Sequence, residues 1–236
     1  PRGDAVIKLM VTIVDRGRSS KAVDLFKAAG LPFHYACLGH GTANSDILDY
    51  LGLGETQKDV LLTAVPEPAA HGLLVRAAEK LQLSSPGKGI IFTMPLSSVS
   101  GVVSKILNRS AAREDWGREQ EGTSMAEKGK NDLVVVVVNH GCTDLVMEAA
   151  QAAGARGGTV LHARRLGYEE GERSGEGAVR PEKEIVTILV PRSIRQMVME
   201  RVSKTAGINT QARGILFSLP VDEIAGLALA EPQAEV

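Results

Sequence analysis

Aromatic side chains are scarce: one Trp, three Tyr and four Phe in 236 residues. A core made from this chain must therefore be built of Val, Leu, Ile and Ala, which the 44% hydrophobic content supplies. An excess of charge of either sign is also missing. Twenty-seven Lys and Arg stand against 28 Asp and Glu, a net charge of −1, which excludes a general nucleic-acid or polyanion binder. No apolar run approaches the ~18 residues of a membrane span; the longest, Leu133–Val138, is strand-sized. No signal peptide is expected, although the chain starts at Pro1 rather than Met. There are two cysteines, Cys37 and Cys142. They do not correspond in the repeat that organises the chain, so reduced thiols in a cytoplasmic protein are expected. No Walker-type loop, no paired catalytic carboxylates and no recurring nucleophile–base–acid set is present, so no enzymatic activity is expected.

What is there is a duplication. Gly89-Ile90-Ile91-Phe92-Thr93-Met94-Pro95-Leu96 returns as Gly214-Ile215-Leu216-Phe217-Ser218-Leu219-Pro220-Val221, 125 residues on (89 to 214). The offset holds back to Val65-Pro66 and Val190-Pro191 and becomes 124 upstream, where Ala28-Ala29-Gly30 matches Ala152-Ala153-Gly154. Each repeat is an ordinary domain in size. The boundaries expected are 4–107 for a first, diverged domain, 108–131 for a charged, glycine-punctuated linker, and 132–228 for a second domain.

Periodicity gives both domains one element order. In the second, Leu133–Asn139 is a strand, and Asp144–Ala153 a helix closed by Gly154. Thr159–Ala163 and Glu184–Val190 are strands. A helix with the stripe Ile194, Met197, Val198, Val202 starts after Pro191 and ends at Gly207, and Gly214–Leu219 is the last strand. The first domain repeats this with Ala5–Val14, Ser20–Ala29, Phe33–Leu38, Asp59–Val65, Pro68–Leu81 and Gly89–Met94. The fold class is α+β: two tandem ferredoxin-like βαββαβ domains. Helices then cover one sheet face only, and the strands are apolar on both sides, so apolar sheet faces are expected to pack together, between repeats or between chains.

Each domain carries a long connection between its second and third strands, Arg165–Lys183 and Gly39–Lys58. Hairpins need about 2–5 residues, and loops this long and polar are usually functional. The Arg165–Lys183 loop is the expected partner-binding segment, through Tyr168, Glu169, Glu170, Arg173 and Glu176.

The second domain resembles the PII nitrogen-regulatory signalling proteins. The resemblance lies in Gly154-Ala155-Arg156-Gly157-Gly158-Thr159-Val160, in the strand Glu184–Val190 after the long loop, and in Arg213-Gly214-Ile215-Leu216-Phe217-Ser218-Leu219-Pro220-Val221. It implies a homotrimer of ferredoxin-like domains with an adenine nucleotide (ATP, ADP or AMP) between neighbouring subunits and a target protein docked on the long loop. Carried across, Gly158 and Thr159 lie near the adenine. Gly207, Asn209, Arg213 and Gly214 form the phosphate-binding B-loop, Gly167 opens the long loop, and Arg164 supplies positive charge. Three departures follow. Ile215 stands where the family has lysine, the cations after the last strand are missing, and Glu169 replaces the glutamine that helps to hold Mg²⁺ and 2-oxoglutarate. These favour AMP or ADP over ATP. The first domain has Phe33-His34-Tyr35 in place of the Gly-Gly-Thr element but keeps Pro86-Gly87-Lys88-Gly89, so Lys88 and Gly89 join the nucleotide-binding set as part of a composite site.

Two histidine–cysteine patterns bear on the alternatives, a metal- or small-anion-binding trimeric protein of similar fold or a purely structural assembly module. His34-x-x-Cys37-x-x-His40 lies on a strand, where Cys37 opposes both histidines. His140-Gly141-Cys142 is a strand-end turn. No metal ligand is assigned from either.

Overall fold

The protein is described from a computed structural model covering residues 6–42, 56–85, 87–111, 127–164 and 182–226. It is a mixed α+β chain that divides into two compact units. One contains Pro1–Cys37, Lys58–Lys130 and Pro220–Val236; the other contains Leu38–Gln57 and Asn131–Leu219. Two segments thus belong to a different unit from the one the repeat assigns them: residues 38–57 and the tail from Pro220.

In the first unit, β1 (Ile7–Asp15), α1 (Ser19–Ala28), the start of β2 (His34–Gly41), β3 (Thr56–Pro66), α2 (Glu67–Leu81) and β4 (Gly89–Pro95) follow one another as β-α-β-β-α-β. β4, β1, β3 and β2 are neighbours in that order, and β1 runs antiparallel to both β3 and β4. The core lies under the helices. Along α2 the positions Ala69, Ala70, Leu73, Leu74, Ala77, Ala78 and Leu81 are buried, a helical stripe whose small residues let the backbone approach the sheet. Phe26 of α1 and Met10, Val14 and Ile91 of the strands complete it.

Three elements of this unit carry no clear sequence signal. α3 (Gly101–Ala111) buries Leu107 in the same core, so the segment expected to open the linker at Asn108 is helical. β5 (Glu127–Lys128) and β10 (Glu223–Ala225) are short strands, and β10 pairs with β4 on one side and β5 on the other. Ion pairs hold the tail in place. Glu223 meets His71 at 2.8 Å and Lys128 at 3.5 Å, and Asp222 meets Lys8 at 3.1 Å.

The second unit has β6 (Asn131–Asn139), α4 (Thr143–Gln151), β7 (Thr159–Arg164), β8 (Glu182–Pro191), α5 (Arg192–Ala206) and β9 (Ile215–Pro220). The spatial order β9, β6, β8, β7 is the same last–first–third–second arrangement. Gly39–Gly41 of β2 pairs with Thr159–Leu161 along the free side of β7. The core is aliphatic, as the scarcity of aromatics requires, with Val134, Val136, Val138, Val186, Ile188 and Val190 facing Val146, Val198 and Val202. The long connections, 43–55 and 165–181, lie outside the described residues, as does Trp116. Among the described residues no helix is long and apolar enough to cross a membrane.

Side-chain pairs are duplicated along with the backbone. Lys8 at the start of β1 meets Glu67, the first residue of α2, at 3.3 Å. At the corresponding places Asp132 of β6 meets Arg192, the first residue of α5, at 3.1 Å. The signs are reversed and the contact is kept, as expected where two partially buried charges must remain matched. Arg195 adds a second bond to Asp132 at 2.8 Å.

Burial acts to lower the pKa of Lys8, but Asp222 and Glu67 outweigh it and hold the amine above its ordinary 10.5. A raised amine stabilises the fold fully below that ordinary value and loses its contribution as pH rises through the higher native one. Lys8→Met is therefore expected to lower the urea midpoint near neutrality, and the gap from the parent should close as pH rises above the ordinary 10.5. A gap that stays constant through that rise contradicts the assignment.

Candidate functional site

The loop joining α5 to β9 is the most closely determined feature of the second unit. α5 stops at Gly207, and the chain returns on itself seven residues later, with Gly207 and Gly214 forming an isolated parallel bridge. Thr210 closes the turn. Its amide donates to the Gly207 carbonyl at 3.0 Å and its hydroxyl to the same oxygen at 2.7 Å. Arg213 is left-handed, with φ +47°, a conformation that costs a non-glycine residue about 1–2 kcal/mol. At Gly214 the approach of the strand to the helix end leaves no space, since a Cβ would lie 2.0 Å from the Ala206 carbonyl oxygen.

The amides of Thr210, Ala212, Arg213 and Gly214 are used inside the loop. The Ile208 amide faces the Gly214 carbonyl in the bridge, while those of Asn209 and Gln211 make no hydrogen bond among the described residues. Asn209 and Arg213 are exposed, and Arg213 forms no ion pair among the described residues. Beside the loop, between α5 and β9, lies an open groove lined by Met199, Ser203, Lys204, Ile208, Gly214 and Ile215, among others, with a volume of about 860 Å³. Chemically, the loop offers two N–H donors without a partner among the described residues and a cation next to an apolar floor.

Gly158 and Thr159 sit elsewhere in the same unit. They begin β7, and two strands, β8 and β6, separate that strand from β9, which at about 4.8 Å per strand puts them roughly 14 Å from the end of the sheet that carries the B-loop. The Gly158 backbone is clasped by Thr42, whose hydroxyl accepts from its amide at 2.8 Å and donates to its carbonyl at 3.1 Å. Thr159 is buried, and its carbonyl accepts from Thr187 at 3.0 Å. The structure thus assembles Gly207, Asn209, Arg213 and Gly214 but does not bring Gly158 and Thr159 to them within one unit. In the first unit, Gly89 has φ +134° and no room for a Cβ, and the carbonyl of the exposed Lys88 accepts from Arg18 at 3.5 Å. Arg164 ends β7. Gly167, Tyr168, Glu169, Glu170, Arg173 and Glu176 lie outside the described residues. Arg192 is engaged with Asp132 and is not free to meet a ligand.

A second cluster was not singled out from sequence. Glu184 on β8 is buried yet charged. One oxygen accepts from the Gly141 amide at 3.2 Å and the Thr143 hydroxyl at 2.6 Å; the other faces Nδ1 of His140 at 2.9 Å. Burial alone would raise this carboxyl, but the bonds from Thr143 and Gly141 and the nearby His140 more than offset it, and its pKa is lowered. His162 is the cross-strand partner of Glu184, and His40 reaches Nε2 of His162 with its own Nε2 at 2.8 Å. The sequence signal was the clustering of imidazoles at strand ends, but only the strand register shows that residues from four separate segments share a face.

No protein-family model and no curated protein matches this chain. Among solved structures it is similar to Arabidopsis thaliana PII bound to citrate, with 23% identity over 40% of this chain and 77% of that one and a TM-score of 0.31. At that score the likeness decides neither fold nor ligand.

The geometry of the Gly207–Gly214 loop makes a direct prediction. Gly214→Ala must push β9 off the end of α5 and is expected to cost about 1–3 kcal/mol of stability. Gly17→Ala, where a Cβ meets nothing within 4 Å and only φ +84° is strained, is expected to cost about 1–2 kcal/mol. Urea unfolding should rank them in that order; equal midpoints would show that the loop yields.

Proposed function

We propose that the protein is a non-enzymatic, PII-like regulatory protein of nitrogen or energy metabolism. In this reading its two units are tandem ferredoxin-like domains. An adenine nucleotide binds at clefts between neighbouring domains, with its phosphates at the B-loop of one and its base near a Gly-Thr element of another. The long loop of the second unit docks on a target protein. The observation that carries the reading is the Gly207–Gly214 loop, whose Asn209 and Gln211 amides and Arg213 guanidinium have no partner among the described residues, beside an apolar groove. Unused N–H groups in a tight turn form an anion-binding concavity, and Arg213 adds the charge. One cation and two amides suit one or two phosphates better than three, which favours AMP or ADP over ATP. The separation of Thr159 from the B-loop within a unit supports a cleft between units or chains.

The outer strand of the second unit supports assembly. Ile215, Phe217 and Leu219 alternate along β9 and remain 58%, 44% and 38% exposed. An edge strand with an uncovered apolar face is an association surface, and a homotrimer would cover it. Light scattering is expected to give three chains per particle; a stable monomer would contradict this assembly.

Calorimetry with AMP, ADP, ATP and cyclic nucleotides tests the ligand. Heat is expected with AMP or ADP, and Arg213→Ala should weaken binding by roughly tenfold or more, the loss of one charge-assisted hydrogen bond. The absence of heat with every nucleotide would sink the nucleotide reading.

A further inference from the structure

The carboxylate that ties the first strand–helix turn to the third strand occurs in both units. In the first, one oxygen of Asp59 accepts from the Gly17 amide at 2.9 Å and the Ser19 hydroxyl at 2.7 Å, while the other faces Arg16 at 3.8 Å. In the second, Glu184 repeats this with Gly141 and Thr143 on one oxygen and His140 on the other. Gly17, Ser19 and Arg16 correspond to Gly141, Thr143 and His140 at the 124-residue offset, and Asp59 to Glu184 at 125. The clamp accounts for the buried carboxylate and for one basic side chain beside it. It does not account for two further imidazoles at the same place.

Where the first unit uses a permanent guanidinium, the second presents metal-ligating groups. The ligand atoms of His140, His162 and Glu184 all lie within 4.8 Å of one another. His40 adds a nitrogen 2.8 Å from one of His162. Cross-strand register puts them on one face. Glu184 is opposite His162 on β7 and opposite Val138 on β6, two residues before His140, and His40 is diagonal to His162 across the β2–β7 ladder. We propose that His140, His162 and Glu184, with His40 as the fourth group, form a site for a borderline divalent transition ion, Zn²⁺ foremost.

The chemistry fits in three respects. Four-coordinate zinc holds nitrogen and oxygen at about 2.0–2.2 Å, so ligand atoms end about 3.3 Å apart; exposed imidazoles reach that from the present spacing by side-chain rotation. The Nε2 atoms of His40 and His162 face each other at 2.8 Å, and in the tautomers that carry the proton on Nδ1 their lone pairs converge on one place, where a cation binds. Glu184 is held by Thr143 and Gly141 through one oxygen, leaving the oxygen that faces the histidines to bind. Three imidazoles and a single carboxylate select zinc, nickel or copper over Mg²⁺ or Ca²⁺, which require more oxygen ligands. His140 and His162 are exposed, so an ion has a path in.

Titration of the full, tag-free chain with Zn²⁺ by calorimetry, without nucleotide, tests the site, and its failure would leave the nucleotide reading untouched. One Zn²⁺ per chain is expected at micromolar concentration or below, with no uptake of Mg²⁺. His40→Ala should weaken binding by about 10–100-fold, and His140→Ala and His162→Ala by more. His71→Ala, remote in sequence and paired with Glu223, should bind as the parent does. Circular dichroism confirms that each variant is folded. No uptake by the parent, or unchanged uptake by folded His140→Ala and His162→Ala, would overturn the site.

Discussion

Everything in the two units hangs on a buried carboxylate that bonds the first strand–helix turn from the third strand. That turn must leave a strand, reverse direction and start a helix within four residues, and its amides have no ladder to join. Asp59 and Glu184 supply the acceptors at 7% and 6% exposure. A buried charge is costly unless fully bonded, so a hydroxyl, an amide and a basic side chain accompany each carboxylate. The need for that third group leaves its kind free. Arginine in one unit and histidine in the other each set a nitrogen against the second carboxylate oxygen, and only histidine also offers a metal a lone pair.

The same freedom appears at the Lys8–Glu67 and Asp132–Arg192 pairs, where the contact is preserved with its signs exchanged. The two units share positions in which charge must be balanced and differ in which residue carries it. The scaffold tolerates this because its stability comes from aliphatic burial under the helices, at about 1.5–3 kcal/mol per large side chain, rather than from any one ion pair. Recognition can therefore drift at the clamp, the B-loop and the sheet edges without endangering the fold.

Much of this organisation is legible in the chain. The 125-residue offset, the valine run Leu133–Val138 and the stripes on the helices yield twelve elements in their observed order. Their ends shift by one to three residues, as caps and fraying strand ends allow. What is not legible is non-local. β10 is three residues long and exists because β4 has a free edge for it. α3 starts at a glycine and has one wholly buried leucine, too little periodicity to announce a helix. The B-loop residues could be named because they are contiguous. The histidine cluster could not, because His40, His140, His162 and Glu184 are joined only by strand register, and a strand read alone shows which face a residue takes but not which neighbour it meets.

The central claim, that both units use one clamp with an interchangeable basic side chain, is tested most directly by His140→Arg. Unfolding by urea at neutral pH, without metal, should show this variant at least as stable as the parent, because the guanidinium takes the place that Arg16 holds against Asp59. The same variant should lose Zn²⁺ uptake. If His140→Arg is instead destabilised as much as His140→Ala, the two carboxylates do not form a common device, and the account fails at its base.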